Sequence, residues 1–213
     1  MIKVLIADDH TIVRDGLKQI FKETADIIVT GEAANGAEVI EKIKKEKYDV
    51  VVLDIAMPGR GGIDVLKNIK QQKPTLPVLI LSMYPEDQYA IRVLKAGAAG
   101  YVTKESASEQ LISAVRQIYE GRKYVSPELA EKLADALDEK HQKTGHEALS
   151  DREFQVLQLI GSGMTVSEIA AELALSVKTI STNRTRILKK MGMKNNAELI
   201  GYTIRHKLVP EPE

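Results

Sequence analysis

The 213-residue sequence predicts an α/β fold, a doubly wound five-stranded parallel sheet, followed by a second, all-α unit. Two observations predict the sheet. Short apolar runs recur at 2–7, 27–30, 50–53, 78–81 and 99–102, and helix-like segments of ten or so residues separate them. A third observation predicts the second unit: from Leu149 onward no strand-like alternation remains, and only helical patterns occur.

The elements follow in order. Ile2 to Ala7 opens the sheet and runs straight into Asp8 and Asp9. The next helix covers 12–22, with Leu17, Ile20 and Phe21 at helical spacing; Val39, Ile40 and Ile43 repeat the pattern across 36–46. Tyr48 to Gly62, YDVVVLDIAMPGRGG, is the stretch around which the rest is organised. Its apolar run reads as a strand buried on both faces, and it ends on Asp54. Further helices are predicted at 62–70, 86–96 and 108–119. Five strands joined by such helices require right-handed crossovers, which cover both faces of the sheet.

After Gly121 the texture changes. Ser126-Pro127 places a capping residue before a proline at a first helical position, and EKHQKTGHEA at 139–148 is polar without periodicity. The domain reading is 1–121, a linker with a helix at 122–148, and 149–213. Predicted helices in the last part cover 151–161, 165–173, 177–191 and 196–206.

Composition narrows the chemistry. Cysteine is absent, which excludes disulfides and thiolate metal sites. The formal net charge is zero, yet Lys178, Arg184, Arg186, Lys189, Lys190 and Lys194 form a basic stretch with no acid among them. A neutral whole with a local basic stripe points to a regulated nucleic-acid contact. The opening MIKVLIADDH is too short in apolar residues for a signal peptide, and no run has the length of a membrane span. The expectation is a cytoplasmic protein without a membrane partner.

A carboxylate at the end of a buried strand is poorly explained by packing, because its desolvation must be compensated. It is well explained as a site, since open α/β sheets bind ligands beyond the carboxyl ends of their strands. Asp8, Asp9 and Asp54 can meet there, with Ser82 after the fourth strand and Lys104 after the fifth. An all-oxygen acidic set favours a hard divalent ion, most naturally Mg2+. The hydroxyl and the ammonium suit a phosphoryl group on Asp54. Nucleotide binding is the weaker alternative, because neither GxGxxG nor GxxxxGK[ST] occurs where it is needed.

These residues carry a resemblance. ADDH at 7–10, LDIAMPGRGG at 53–62, SMYPED at 82–87 and KAGAAGYVTK at 95–104 resemble the receiver domain of bacterial two-component response regulators, a flavodoxin-like fold. The resemblance implies that Asp54 takes phosphate from a sensor histidine kinase. It implies that Asp9, Asp54 and the Ala56 carbonyl hold Mg2+ with Asp8 assisting through water, and that Lys104 contacts the phosphoryl group. Ser82 and Tyr101 would be the switch pair, Tyr101 turning inward as Ser82 moves toward the phosphate. Pro58 and Gly59 would shape the loop beyond Asp54.

In the last part, 164–193 contains two helical patterns around a short turn, the arrangement of a helix-turn-helix. At about 100° per residue, Lys178, Ser181, Thr182, Thr185 and Lys189 lie opposite the apolar face of the second helix. Hydroxyls there can reach base edges, while Lys178, Arg184, Arg186, Lys189 and Lys190 suit phosphates. LSDREFQVLQLIGSGMTVSEIAAELALSVKTI and RILKKMGMKNNAELI resemble the LuxR-type output domain of NarL/FixJ regulators. By that resemblance Glu153 braces the start of the domain. Asn183 and Ile180 depart from the histidine and valine common there.

The leading expectation is a phosphorylation-controlled, sequence-specific transcription regulator that binds double-stranded DNA as a homodimer when phosphorylated. It is not an enzyme beyond self-phosphorylation and self-dephosphorylation at Asp54. A receiver protein whose helical tail binds a partner protein is the alternative from another class. A phosphotransfer enzyme or hydrolase lacks a second catalytic centre.

Overall fold

The computed structural model describes residues 1–57, 61–84, 86–135 and 145–209, without the side chains at 87, 88, 128, 132, 134 and 135. Pro58 and Gly59 lie outside the described residues, as does the middle of the polar segment assigned to the linker. The chain forms two compact units, Met1–Leu133 and Ala134–Glu213.

The first unit alternates β1 (Ile2–Ala7), α1 (Thr11–Lys22), β2 (Ile27–Ala33), α2 (Gly36–Lys45), β3 (Val50–Asp54), α3 (Gly62–Gln72), β4 (Val78–Ser82), α4 (Glu86–Lys95), β5 (Gly100–Thr103) and α5 (Ala107–Tyr119). All strand pairs are parallel, in the order β2-β1-β3-β4-β5. The order reverses between β1 and β3, so a crevice opens beyond their carboxyl ends. Every residue of β3 and β4 is buried, as expected of strands covered on both faces. On one face Leu17 and Phe21 of α1 and Leu111, Val115 and Ile118 of α5 pack with Val4, Ile6, Val52 and Leu81. Burying each such side chain is worth about 1.5–3 kcal/mol.

β2 runs three residues past the apolar stretch that predicts it, through Gly31, Glu32 and Ala33. It is an edge strand, and its register against β1 shifts between Val4 and Leu5, which lets polar residues continue the ladder to Ala7 and Ala33. At the entrance to α3 the backbone closes tightly, since a Cβ on Gly62 would lie 2.3 Å from the Ile55 Cα. Past α5 the chain returns along the β5 edge, where the Tyr124 amide donates to the Ala99 carbonyl at 2.9 Å. Ser126 then caps α6 (Pro127–Asp135), accepting from the Leu129 amide at 3.0 Å.

Among its described residues the second unit contains a short 3-10 helix (Gly145–Ala148), where sequence shows no periodicity, and the α-helices α7 (Asp151–Gly161), α8 (Val166–Glu172), α9 (Val177–Met191) and α10 (Asn196–Arg205). Each start has a side-chain cap: Ser150 and Thr165 with reciprocal glutamates, Ser176, and Asn195. Gly192 ends α9 in the left-handed conformation. Phe154, Leu157, Ile160, Ile169, Ile180, Ile187 and Leu199 form the buried centre.

The turn between α8 and α9 passes through Ala174 at φ 50. A left-handed L-residue costs about 1–2 kcal/mol, whereas the added chain entropy of glycine costs about 0.5–1 kcal/mol. Ala174→Gly is therefore expected to stabilise the helical unit by roughly 0.5 kcal/mol, read as a small rise in its denaturation midpoint.

Candidate functional site

The sheet brings the chemistry-bearing residues to one rim. β1 ends at Ala7, paired with Leu53, so Asp8 emerges beside Asp54; Ser82 and Thr103 pair at the ends of β4 and β5, and Lys104 follows. Asp8, Asp54 and Ser82 are all buried. Lys104 Nζ lies 2.7 Å from both Asp8 Oδ2 and Asp54 Oδ2. The other oxygen of Asp54 accepts from the Ala56 amide at 2.9 Å, and Asp8 Oδ1 accepts from the His10 amide at 2.9 Å.

Burial holds the Asp54 carboxyl above the usual range; Lys104 opposes this, while the Asp8 charge adds to it. Burial disfavours the Lys104 ammonium, but the two carboxylates outweigh it and raise its pKa. Lys104 therefore remains a cation shared between two acids.

The rim also fits a hard cation. Asp9 Oδ1 is buried without a hydrogen-bond partner, with the His10 ring nitrogen 3.1 Å away, and Asp8 Oδ2 is buried with the Lys104 ammonium beside it at 2.7 Å. Asp8, Asp9 and His10 offer ligand atoms within 4.8 Å of one another. Three carboxylates against one ammonium leave negative charge that a divalent ion would balance. Ala56 is exposed beside this cluster.

The two other predicted residues meet through Tyr84. Ser82 Oγ accepts from the Tyr84 amide at 3.1 Å, and the Tyr101 hydroxyl donates to the Tyr84 carbonyl at 2.7 Å. Tyr101 is fully inward, and burial raises its phenol pKa.

In the second unit, Lys178, Ser181, Thr182, Thr185, Arg186 and Lys189 are exposed on α9, while Ile180 and Ile187 face the core. The Thr182 hydroxyl donates to the Lys178 carbonyl at 2.9 Å and that of Thr185 to Ser181 at 3.0 Å, so each presents a lone pair and a methyl outward. Arg184 Nε donates to Asn196 Oδ1 at 2.5 Å, and Lys190 Nζ to Glu153 Oε2 at 2.6 Å. Glu153 also accepts from the Ser150 amide and hydroxyl.

Sequence reasoning gave no role to His10 or Arg14. His10 sits beside the acid pair, where adjacency alone was the signal. Arg14 reaches the Asp8 and Asp9 carbonyls from α1, a contact without any local sequence mark. Asn183 is buried on the inner face of α9 although it is polar.

Residues 4–116 match the family model described as the response regulator receiver domain, and residues 147–203 match bacterial regulatory proteins, luxR family. This chain belongs to the response regulators. Among relatives of this regulator, the response regulator GacA of Pseudomonas aeruginosa is 34% identical over 98% of each chain. The oxygen regulatory protein NreC of Staphylococcus carnosus is 37% identical over 97% of this chain and 99% of its own. Among solved structures, RcsB of Salmonella typhimurium superposes with a TM-score of 0.75 at 30% identity, covering 96% of this regulator and 97% of RcsB. RcsB bound to the promoter rprA with the phosphomimetic BeF3- gives 0.71 at 31% identity, covering 95% and 98%. No described helix is long and apolar enough to cross a membrane.

Proposed function

We propose that this response regulator is a phosphorylation-controlled transcription regulator, with Asp54 the phosphoacceptor and α9 the DNA-reading helix. The observation that carries the reading is the buried Asp54–Lys104–Asp8 cluster at the switch point of the sheet, in one chain with a capped helix-turn-helix.

Asp54 attacks the phosphorus of a phosphohistidine on a sensor kinase; the P–N bond breaks and its electron pair leaves with the imidazole. Asp8, Asp9 and Asp54, with the Ala56 carbonyl, are the donors that would hold Mg2+, which when bound supplies positive charge against the phosphoryl oxygens. Lys104, already between the two acids, turns its ammonium to the same oxygens. Ser82 donates its hydroxyl to the phosphoryl group, and the change reaches Tyr101, already inward, through the Tyr84 backbone that both side chains bond. Phosphate thereby favours one arrangement of a pre-existing pair, the one that dimerises and binds promoter DNA in the cytoplasm. The promoter-bound RcsB structures support the DNA-binding half of this reading.

On α9, Lys178, Arg186 and Lys189 contact phosphates, with Arg184 and Lys190 adding charge from positions bonded within the unit. Ser181, Thr182 and Thr185 face base edges, the threonines as acceptors or methyl contacts. Lys189→Ala is expected to weaken binding equally on a specific and a scrambled duplex and to lower the salt slope by about 1. Thr182→Ala is expected to leave the slope alone and to change discrimination at one or two base pairs by roughly 1–3 kcal/mol. Titrations at several salt concentrations separate the two. If neither variant alters binding to either duplex, α9 is not the reading element, and a partner-protein role for the helical unit becomes the better account.

A further inference from the structure

The sheet bonding of β1 ends where the Asp8 amide donates to the Ala33 carbonyl at 3.1 Å. The two carbonyls that follow are both taken by one side chain: Arg14 Nη1 lies 2.7 Å from Asp8 O and 3.3 Å from Asp9 O. The same guanidinium donates through Nη2 to Thr11 Oγ1 at 3.1 Å and through Nε to Glu32 Oε2 at 3.2 Å. Glu32 is in turn held by Lys18, 2.8 Å from its other oxygen. The Arg14 side chain is only 13% exposed. One rigid fork thus ties the acid loop to α1 and to the end of β2.

We propose that Arg14 is a positioning residue for the cation site: by fixing the Asp8 and Asp9 carbonyls it fixes where their carboxylates point. The inference rests on the reading of Asp8 and Asp9 as cation donors. The peptide unit is planar, so holding a carbonyl holds the whole plane and the Cα atoms at both ends. Without that hold, two adjacent carboxylates repel and turn apart. Groups that orient metal ligands typically control affinity 10–100-fold; acting through the backbone, Arg14 belongs near the lower end, about tenfold.

Charge and positioning make opposite predictions here. As a mere cation near the site, Arg14 would repel a divalent ion, and its removal would tighten binding. As a positioning group, its removal loosens binding, and Arg14→Lys, which keeps the charge but loses the fork, loosens it too.

The test is calorimetric titration of Mg2+ into the full chain, for wild type, Arg14→Ala, Arg14→Lys and Glu32→Ala, with unfolding curves on each. The expected result is a Kd raised about tenfold in Arg14→Ala and several-fold in Arg14→Lys. The maximal rate of phosphate uptake from a small phosphodonor, at saturating Mg2+, should stay within about threefold of wild type, because the positioned cation is then restored by mass action. A Kd that is unchanged or lower in both Arg14 variants overturns the inference, as does a lost maximal rate with unchanged Kd. Should Arg14→Ala fail to fold, Glu32→Ala, which frees the guanidinium from β2, decides: a several-fold weaker Kd supports the inference and an unchanged one sinks it. A folded wild type that binds no Mg2+ overturns the underlying reading of Asp8 and Asp9, and this inference with it.

Discussion

Asp54→Asn is expected to abolish phosphate uptake and with it every phosphorylation-dependent gain in DNA affinity, while leaving the receiver folded. The amide has no carboxylate to attack phosphorus, yet its oxygen can still accept from the Ala56 amide. Stability should hold or rise. A carboxyl whose folded pKa is raised, as here by burial and then by Asp8, weakens the fold at pH values above that pKa. Replacing it by a neutral amide removes that penalty at neutral pH. Intact mass after incubation with Mg2+ and a small phosphodonor reads the first effect, and denaturant unfolding reads the second. Equal phosphate uptake by the variant would sink the assignment of Asp54.

The second large effect is expected at Glu153. Its buried carboxylate ties the start of α7 to the last turn of α9 through Ser150 and Lys190. Losing the glutamate's half of the capping box, its bond from the Ser150 amide, costs about 1 kcal/mol, while the Ser150 cap on the residue-153 amide remains. The charge-assisted bond to Lys190, discounted because that lysine is 41% exposed, adds about 1 kcal/mol. Glu153→Ala is thus expected to cost about 2 kcal/mol, a large share of the roughly 3–5 kcal/mol that so small a core supplies. Glu153→Gln keeps the cap and loses about half as much. Burial pushes the Glu153 carboxyl up, but the bonds from Lys190 and Ser150 outweigh it, so its folded pKa is lowered. The stabilisation is therefore complete above the unfolded value near 4.5 and disappears as pH falls through the folded pKa. Unfolding midpoints of the helical unit measured from pH 7 to pH 3 should fall steeply at the acid end for wild type and less for Glu153→Gln. Equal acid limbs in the two proteins would count against this role.

The local pattern carried much of the site. Asp8, Asp9, Asp54, Ser82 and Lys104 could be found because each follows an apolar run, and a parallel sheet delivers all strand ends to one rim. The exposed face of α9 was legible for the same kind of reason, a fixed helical period. Arg14 was not, because its partners are main-chain carbonyls, which leave no trace in side-chain pattern. Nor was Glu32, placed beyond the apolar stretch on an edge strand that continues through backbone bonding alone. Asn183, marked from sequence only as a departure from the family's histidine, is buried.

By itself the sequence determined the alternation of strands and helices, the exposed face of α9 and the residue types at each strand end. These depend on periodicity and on groups only a few residues apart. The tertiary structure decided which charges meet. It set Lys104 equidistant from two acids, bound Lys190 to Glu153, and closed the Arg14 fork on the acid loop. Such pairings are fixed by packing between elements far apart in the chain, where a side chain's reach and its burial, rather than its neighbours in sequence, select its partner.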